Sequence, residues 1–199
     1  MTDLIFATNN LHKLEEIRSI AGKNFLIKGL SEYNFTDEVP EDYNTLEANA
    51  SQKAWYIYNK LGKNCFADDT GLEVEALSGA PGVFSARYSR IGSPVYSDMP
   101  VSEGNIRKLL EVLENEKNRN ARFRTVISLI FNGKEYIFEG VVNGDILMQP
   151  SGTFGFGYDP VFRPSGYKSS FAEMSIHDKN RISHRAAAMR KMMEFLNGS

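Results

Sequence analysis

The first thirty residues set the strongest limit on the fold. LIFAT (4–8) is a short apolar run of strand character, and it leads straight into LHKLEEIRSIAG. There Leu11, Leu14, Ile17 and Ala21 recur at helical spacing, and Gly22 offers a stop. FLIKGL (25–30) predicts a second strand. Strand, helix and strand in immediate succession predict an α/β class.

The pattern continues along the chain. Residues 31–44 are polar and acidic and contain Pro40, which predicts a loop. From Thr45 an apolar stripe of Leu46, Ala50, Ala54, Ile57 and Leu61 predicts a second helix. NCFAD and TGLEVEAL read as two strands about a sharp turn at Asp69–Gly71. The turn-rich residues 79–100 read as a long surface loop, and Ile106, Leu109, Leu110 and Leu113 mark a third helix. Two β-rich runs flank Asn132–Gly133, the pair that favours a type I′ hairpin turn. The last helix is predicted from Ser183 to about Leu196, with Ala186, Met189, Met193 and Leu196 on one face. No repeat, low-complexity tract or linker divides the chain, so residues 1–199 read as a single domain.

Composition narrows the function classes. A net charge of −2 argues against a broad basic surface for nucleic acid, though not against a local basic pocket. No stretch approaches the roughly 18 apolar residues of a membrane span, and no charged-then-apolar leader opens the sequence. The single cysteine, Cys65, lies in an apolar run and cannot form an intramolecular disulfide, so the expected location is a reducing cytoplasm.

Several short stretches could carry chemistry. ATNNLHK (7–13) places small polar residues between a strand and a helix, where free N–H groups and the helix dipole favour an anion. Lys13 could add a charge, although an ordinary helix cap is the plainer reading of the stretch taken alone. Glu41, Glu47, Asp68 and Asp69 offer hard oxygen ligands of the kind that hold Mg²⁺ together with water and substrate phosphates. Consecutive strand residues point to opposite faces, so only one of the two aspartates should face a given site. A solvated turn for that pair, with Glu47 as N-terminal helix charge, explains them equally well on local grounds. Lys53 follows Asn49 by one helical turn and shares its face, outside the apolar stripe; base rates alone make it a solvated lysine. FGFGYD (154–159) combines close-approach glycines, stacking rings and an acceptor. In DKNRISHRAAA (178–188), Ser183 is a plausible N-cap, so His184 and Arg185 would oppose the helix dipole unless an anion joins them. Lys179 and Arg181 add charge nearby. No Ser-His-Asp triad or zinc spacing is present. Together these groups fit a nucleoside triphosphate with Mg²⁺.

At this point the sequence resembles the inosine triphosphate pyrophosphatase family, through TNNLHK, TLEANASQKA, ADDTGLEVEALSGAPGVFSARYS, GTFGFGYDPVF, FAEM and DKNRISHRAAA in that order. TNN (8–10) stands where the family commonly has TGN, and DKN replaces EKN. The resemblance implies Mg²⁺-dependent hydrolysis of ITP, dITP and XTP to the monophosphate and pyrophosphate. It implies a long curved mixed β-sheet flanked by helices, with two lobes and the active cleft between them, in a homodimer. Asp69 would be the catalytic acidic residue and a metal ligand, with Glu41 the second ligand. Thr8, Asn9, Asn10, Lys13 and Lys53 would contact the triphosphate end, and Thr70 would touch substrate through its hydroxyl. Phe156, Gly157, Tyr158, Asp159, Lys179, His184 and Arg185 would form the base pocket. A buried donor such as Arg185 or Lys179 would pair with the 6-keto oxygen that hypoxanthine and xanthine carry and adenine lacks, a difference worth about 10⁴-fold. Two other readings keep part of this picture: a pyrophosphatase for modified pyrimidine or methylated nucleotides, and a silent nucleotide sensor or nucleic-acid module.

Overall fold

The structure is a computed structural model that describes residues 2–22, 24–92 and 94–198. In chain order its elements are β1 (Thr2–Phe6), α1 (Leu11–Ala21), β2 (Phe25–Gly29), α2 (Leu46–Leu61), β3 (Cys65–Val74), β4 (Pro81–Gly82), α3 (Val101–Val112), β5 (Asn120–Phe131), β6 (Lys134–Ile146), β7 (Phe162–Pro164), α4 (Ile176–Ile182) and α5 (His184–Asn197). The seven strands run in the order β2-β1-β3-β5-β6-β7, with β4 attached to β3. β1 pairs in parallel with β2 and β3, whereas β3–β4 and β6–β7 are antiparallel, so the sheet is mixed and the class is α/β. Among the described residues no helix is long and apolar enough to cross a membrane.

The chain forms two compact units. The first contains the residues up to Asp69, Thr125–Val141 and the residues from Asn180; the second contains Thr70–Arg124 and Val142–Lys179. Neither unit is one continuous stretch, and β3, β5 and β6 each contribute residues to both.

In the first unit, strand alternation builds two cores. Leu4, Phe6, Phe66, Ile127 and Leu129 meet Leu14, Ile17 and Ala21 of α1 and Ala188, Met189 and Met192 of α5. Ile5, Ala7, Cys65, Ala67 and Ile130 meet Ala54 and Ile57 of α2. Side chains one residue apart on a strand face opposite ways, so the same pleat serves both layers. Phe6 and Phe66 stack with centroids 4.6 Å apart. A side chain at Gly140 would come within 2.0 Å of the His184 carbonyl oxygen, so glycine there lets the start of α5 lie directly on β6. Asn132 (φ 51°) and Gly133 (φ 74°) make the expected left-handed hairpin turn.

The second unit centres on Phe123, Phe162 and Phe171, whose ring centroids lie 4.7–6.2 Å apart. The turn-rich stretch is more ordered than a surface loop. It holds short 3₁₀ turns at Ser85–Arg90 and Pro94–Tyr96, with Ser85, Ser89 and Tyr96 buried; Ser93 lies outside the described residues. Asn105 of α3 organises it, accepting from the Ser89 amide at 2.7 Å and donating to the Ser85 and Ala86 carbonyls at 3.1 and 3.2 Å.

One expectation is overturned outright. The two strands about a turn at Asp69–Gly71 are a single ten-residue strand, β3. The acidic pair needs no turn, because each carboxylate meets cations on its own face of the sheet. Gly71 continues the strand where a side chain would strike the Gly82 carbonyl at 2.7 Å.

Candidate active site

The site residues of the first unit follow from its layers. Beyond Ala67 the alternation of β3 continues with Asp68 on the side of Phe66 and Asp69 on the side of Ala67. Asp68 therefore meets α1 and α5. Its Oδ1 accepts from Lys13 Nζ at 2.8 Å and its Oδ2 from Arg185 Nε at 3.2 Å. Arg185 also donates through Nη1 to Glu16 of α1. Arg185 is only 1 % exposed, and Asp68 and Glu16 are buried with it. Burial alone would raise the Asp68 pKa, but Lys13, Arg185 and Lys53 outweigh it and hold the carboxyl well below its usual range. Burial lowers Lys13 below an ordinary lysine, with Asp68 opposing in part.

Asp69 faces α2. Its Oδ2 accepts from Asn49 Nδ2 at 3.1 Å, and its Oδ1 lies 3.5 Å from Lys53 Nζ. Glu41 reaches the same ammonium at 2.5 Å. Lys53 is 5 % exposed, which corrects the solvated-lysine reading. Burial works against its charge, yet Asp69 and Glu41 together raise its pKa. Asp69 moves the other way from Asp68: burial raises its pKa, and Lys53 and Lys13 do not cancel the effect.

The junction between β1 and α1 has the geometry of an anion-ready helix start. Asn10 caps α1 by accepting from the Lys13 amide at 3.2 Å, and Thr8 Oγ1 accepts from the Asn10 amide at 3.1 Å. Asn9 and Asn10 are exposed, and the first turn of α1 holds no acidic residue to compete for its N–H groups. At the start of α5, Ser183 is the N-cap, accepting from the Ala186 amide at 3.2 Å. The cation–dipole conflict at Arg185 is relieved by Asp68 and Glu16. His184 is buried beside it.

The second unit begins at Thr70 and holds the aromatic loop. Asp159 Oδ2 accepts from the Phe156 amide at 2.8 Å and from Lys179 Nζ at 2.6 Å. Lys179, 4 % exposed, lies 5.1 Å from the Phe156 ring centroid and 5.5 Å from that of Phe171. A side chain at Gly155 (φ +76°) would meet Asp159 Oδ2 at 2.1 Å. Tyr158 is buried and donates its hydroxyl to the Ser85 carbonyl at 3.0 Å; burial raises its pKa. Gly157 carries a left-handed φ of 62°, which lets the loop turn there.

Among the described residues no cluster of three or more His, Cys, Asp or Glu side chains is arranged to hold a metal. Mg²⁺ does not require one, since one or two carboxylates completed by water and substrate phosphates suffice. Glu41 and Asp69 already converge on one cationic group, Lys53, so the residues present fit a two-carboxylate Mg²⁺ site.

Three contributing residues gave little sequence signal. Glu16 follows Lys13 by three residues, which places both on one helical face, but only the fold shows that Arg185 meets it. Asn49 was marked only by sharing a face with Lys53. Asp68 looked like part of a turn, and it is instead the carboxylate that Lys13 and Arg185 share.

Comparison with known proteins agrees with the resemblance read from the motifs. A dITP/XTP pyrophosphatase of Porphyromonas gingivalis is 50 % identical over 197 residues, 98 % of each chain. One of Christiangramia forsetii is 47 % identical over 194 residues, again 98 % of each. The solved Staphylococcus aureus Ham1 protein superposes with a TM-score of 0.85 at 36 % identity over 99 % of both chains. A HAM1 protein from Coxiella burnetii gives 0.86 at 33 % identity over 100 % of both. The Ham1 family pattern matches residues 4–195, and the chain belongs to the Ham1 family.

Proposed function

We propose that this chain is a nucleoside-triphosphate pyrophosphatase. In this reading it hydrolyses the deaminated purine nucleotides ITP, dITP and XTP to monophosphate and pyrophosphate with Mg²⁺. The observation that carries the reading is the convergence of Glu41 and Asp69 on Lys53 in the first unit, in a chain whose relatives bear the name dITP/XTP pyrophosphatase.

Water attacks the α-phosphorus, the new P–O bond forms, and the bond to the bridging oxygen breaks as pyrophosphate leaves. Asp69, its pKa raised by burial, accepts the proton of the attacking water. Lys53 and Lys13 offset phosphate charge, and Thr8, Asn9 and Asn10 with the α1 N–H groups bind phosphate oxygens. Glu41 and Asp69 would hold Mg²⁺, which when bound neutralises phosphate charge and makes its water more acidic. Such chemistry needs mainly positioning and charge neutralisation. Thr70, next after Asp69 in sequence, would offer its hydroxyl to substrate.

Base selection falls to Phe156, Gly157, Tyr158, Asp159 and Lys179 of the second unit. Of the two donors considered for the 6-keto oxygen we assign Lys179, which two rings flank and which holds one carboxylate, Asp159, where Arg185 holds two. Arg185 is engaged by Asp68 and Glu16. A homodimer and a cytoplasmic location complete the reading by family resemblance; sedimentation of the purified protein tests the former.

The test is incubation with Mg²⁺ and ITP, XTP, dITP, GTP, ATP or dUTP, reading pyrophosphate and orthophosphate separately. Pyrophosphate from ITP, XTP and dITP, with little from ATP or GTP, is expected. Preference for dUTP would favour a pyrimidine pocket instead. Absence of turnover would leave a silent nucleotide-binding protein.

A further inference from the structure

The loop that carries Glu41 belongs to no helix or strand, yet α2 grips three consecutive residues of it. Lys53 takes Glu41 at 2.5 Å. Gln52 exchanges two bonds with Asp42, accepting from its amide at 3.0 Å and donating to its carboxylate at 2.6 Å. Asn49 Oδ1 accepts from the Tyr43 amide at 2.9 Å. The same Asn49 side chain donates from Nδ2 to Asp69 at 3.1 Å, and it is 1 % exposed.

An amide is suited to this place because it donates and accepts at once. A carboxylate could accept from Tyr43 but would repel Asp69, and an apolar side chain of similar size could make neither bond. Asn49 therefore links β3 to the acidic loop through one side chain, and Gln52 repeats the grip one residue nearer Glu41.

We propose that Asn49, supported by Gln52, is a positioning residue that holds the Glu41 segment against Asp69 and so fixes the spacing of the two carboxylates before a divalent cation arrives. The proposal rests on the Mg²⁺ reading above. Groups that orient metal ligands are worth about 10–100-fold in metal affinity or activity.

The test compares the full-length wild type with Asn49→Leu and Gln52→Ala. Mn²⁺ binding is measured without substrate by the loss of its free EPR signal, beside thermal melting and the Mg²⁺ dependence of pyrophosphate release from ITP. Asn49→Leu is expected to weaken Mn²⁺ binding by about 10–100-fold, to raise the Mg²⁺ concentration for half-maximal rate in parallel, and to regain much of its kcat at saturating Mg²⁺. A purely structural role would lower the melting temperature and leave Mn²⁺ affinity unchanged. Gln52→Ala, on the outer side of the grip, is expected to stay folded and move Mn²⁺ affinity the same way. A folded Asn49→Leu with wild-type Mn²⁺ affinity overturns the proposal; if that variant does not fold, wild-type affinity in Gln52→Ala does so. A wild type that neither binds Mn²⁺ nor needs a divalent cation overturns this proposal together with the Mg²⁺ reading. A metal-dependent wild type with unaffected variants removes only this one.

Discussion

Asp68 and Asp69 are adjacent on one continuous strand and act on opposite faces of it. Asp68 binds Lys13 and Arg185 on the side of α1 and α5, and Asp69 meets Asn49 and Lys53 on the side of α2. Their pKa values move in opposite directions for that reason, Asp68 down and Asp69 up.

The first prediction separates the two. Asp69→Asn should lower kcat by about 10²–10⁴-fold, the usual worth of a general base, with the melting temperature nearly kept. Asp68→Asn leaves the buried Arg185 short of a carboxylate, and breaking such a pair costs about 3–5 kcal/mol. Denaturant unfolding and steady-state kinetics on both variants check this. Equal kinetic losses with equal stability would contradict the division of roles.

The Asp68 contribution also sets an acid limit. Its folded pKa lies below its ordinary value of 3.8, so the stabilisation is complete above that value and is lost as pH falls through and below it. Stability of the wild type measured from pH 6 downward should decline more steeply than that of Asp68→Asn in the acid range. Parallel curves would mean that Asp68 adds no pH-dependent stability.

Cys65 is buried, donates to the Ala54 carbonyl at 3.2 Å, and has its pKa pushed up to about 12 by burial. The thiolate is the reactive form. The native protein should therefore consume almost no disulfide reagent at pH 8, and one equivalent should react on unfolding. Rapid reaction of the folded protein would show that α2 and β3 separate readily.

Gly155→Ala should distort the Asp159–Lys179 pair, because the new methyl would meet Asp159 at 2.1 Å in a left-handed backbone conformation. The expected stability cost is about 1–3 kcal/mol. KM for ITP should rise more than kcat falls, since the pair belongs to the base end in our reading. A change confined to kcat would place the loop nearer the reacting phosphate.

What the sequence revealed tracks what is local. The helical spacing of Leu14, Ile17 and Ala21, the helix beginning after Thr45, the Ser183 cap and the Asn132–Gly133 turn are set by neighbouring residues, and each appears as expected, although Leu11 of the same stripe is exposed. The turn expected at Asp69–Gly71 failed because like charges and a glycine argue for a bend only when nothing distant compensates them. Here Lys13, Arg185 and Lys53 compensate the charges, and Gly82 requires the glycine. Lys53 looked solvated for the same reason: its partners Glu41 and Asp69 are 12 and 16 residues away in opposite directions. Glu16 and Arg185 lie 169 residues apart, and only the packing of α1 beside α5 brings them together.

The most direct test of the central claim is hydrolysis of ITP in ¹⁸O-labelled water with Mg²⁺, followed by mass spectrometry of the products. One ¹⁸O atom in the monophosphate and none in the pyrophosphate is predicted, with the rate collapsing in Asp69→Asn. Label in the pyrophosphate or in orthophosphate would place the attack on the β- or γ-phosphorus and contradict the account.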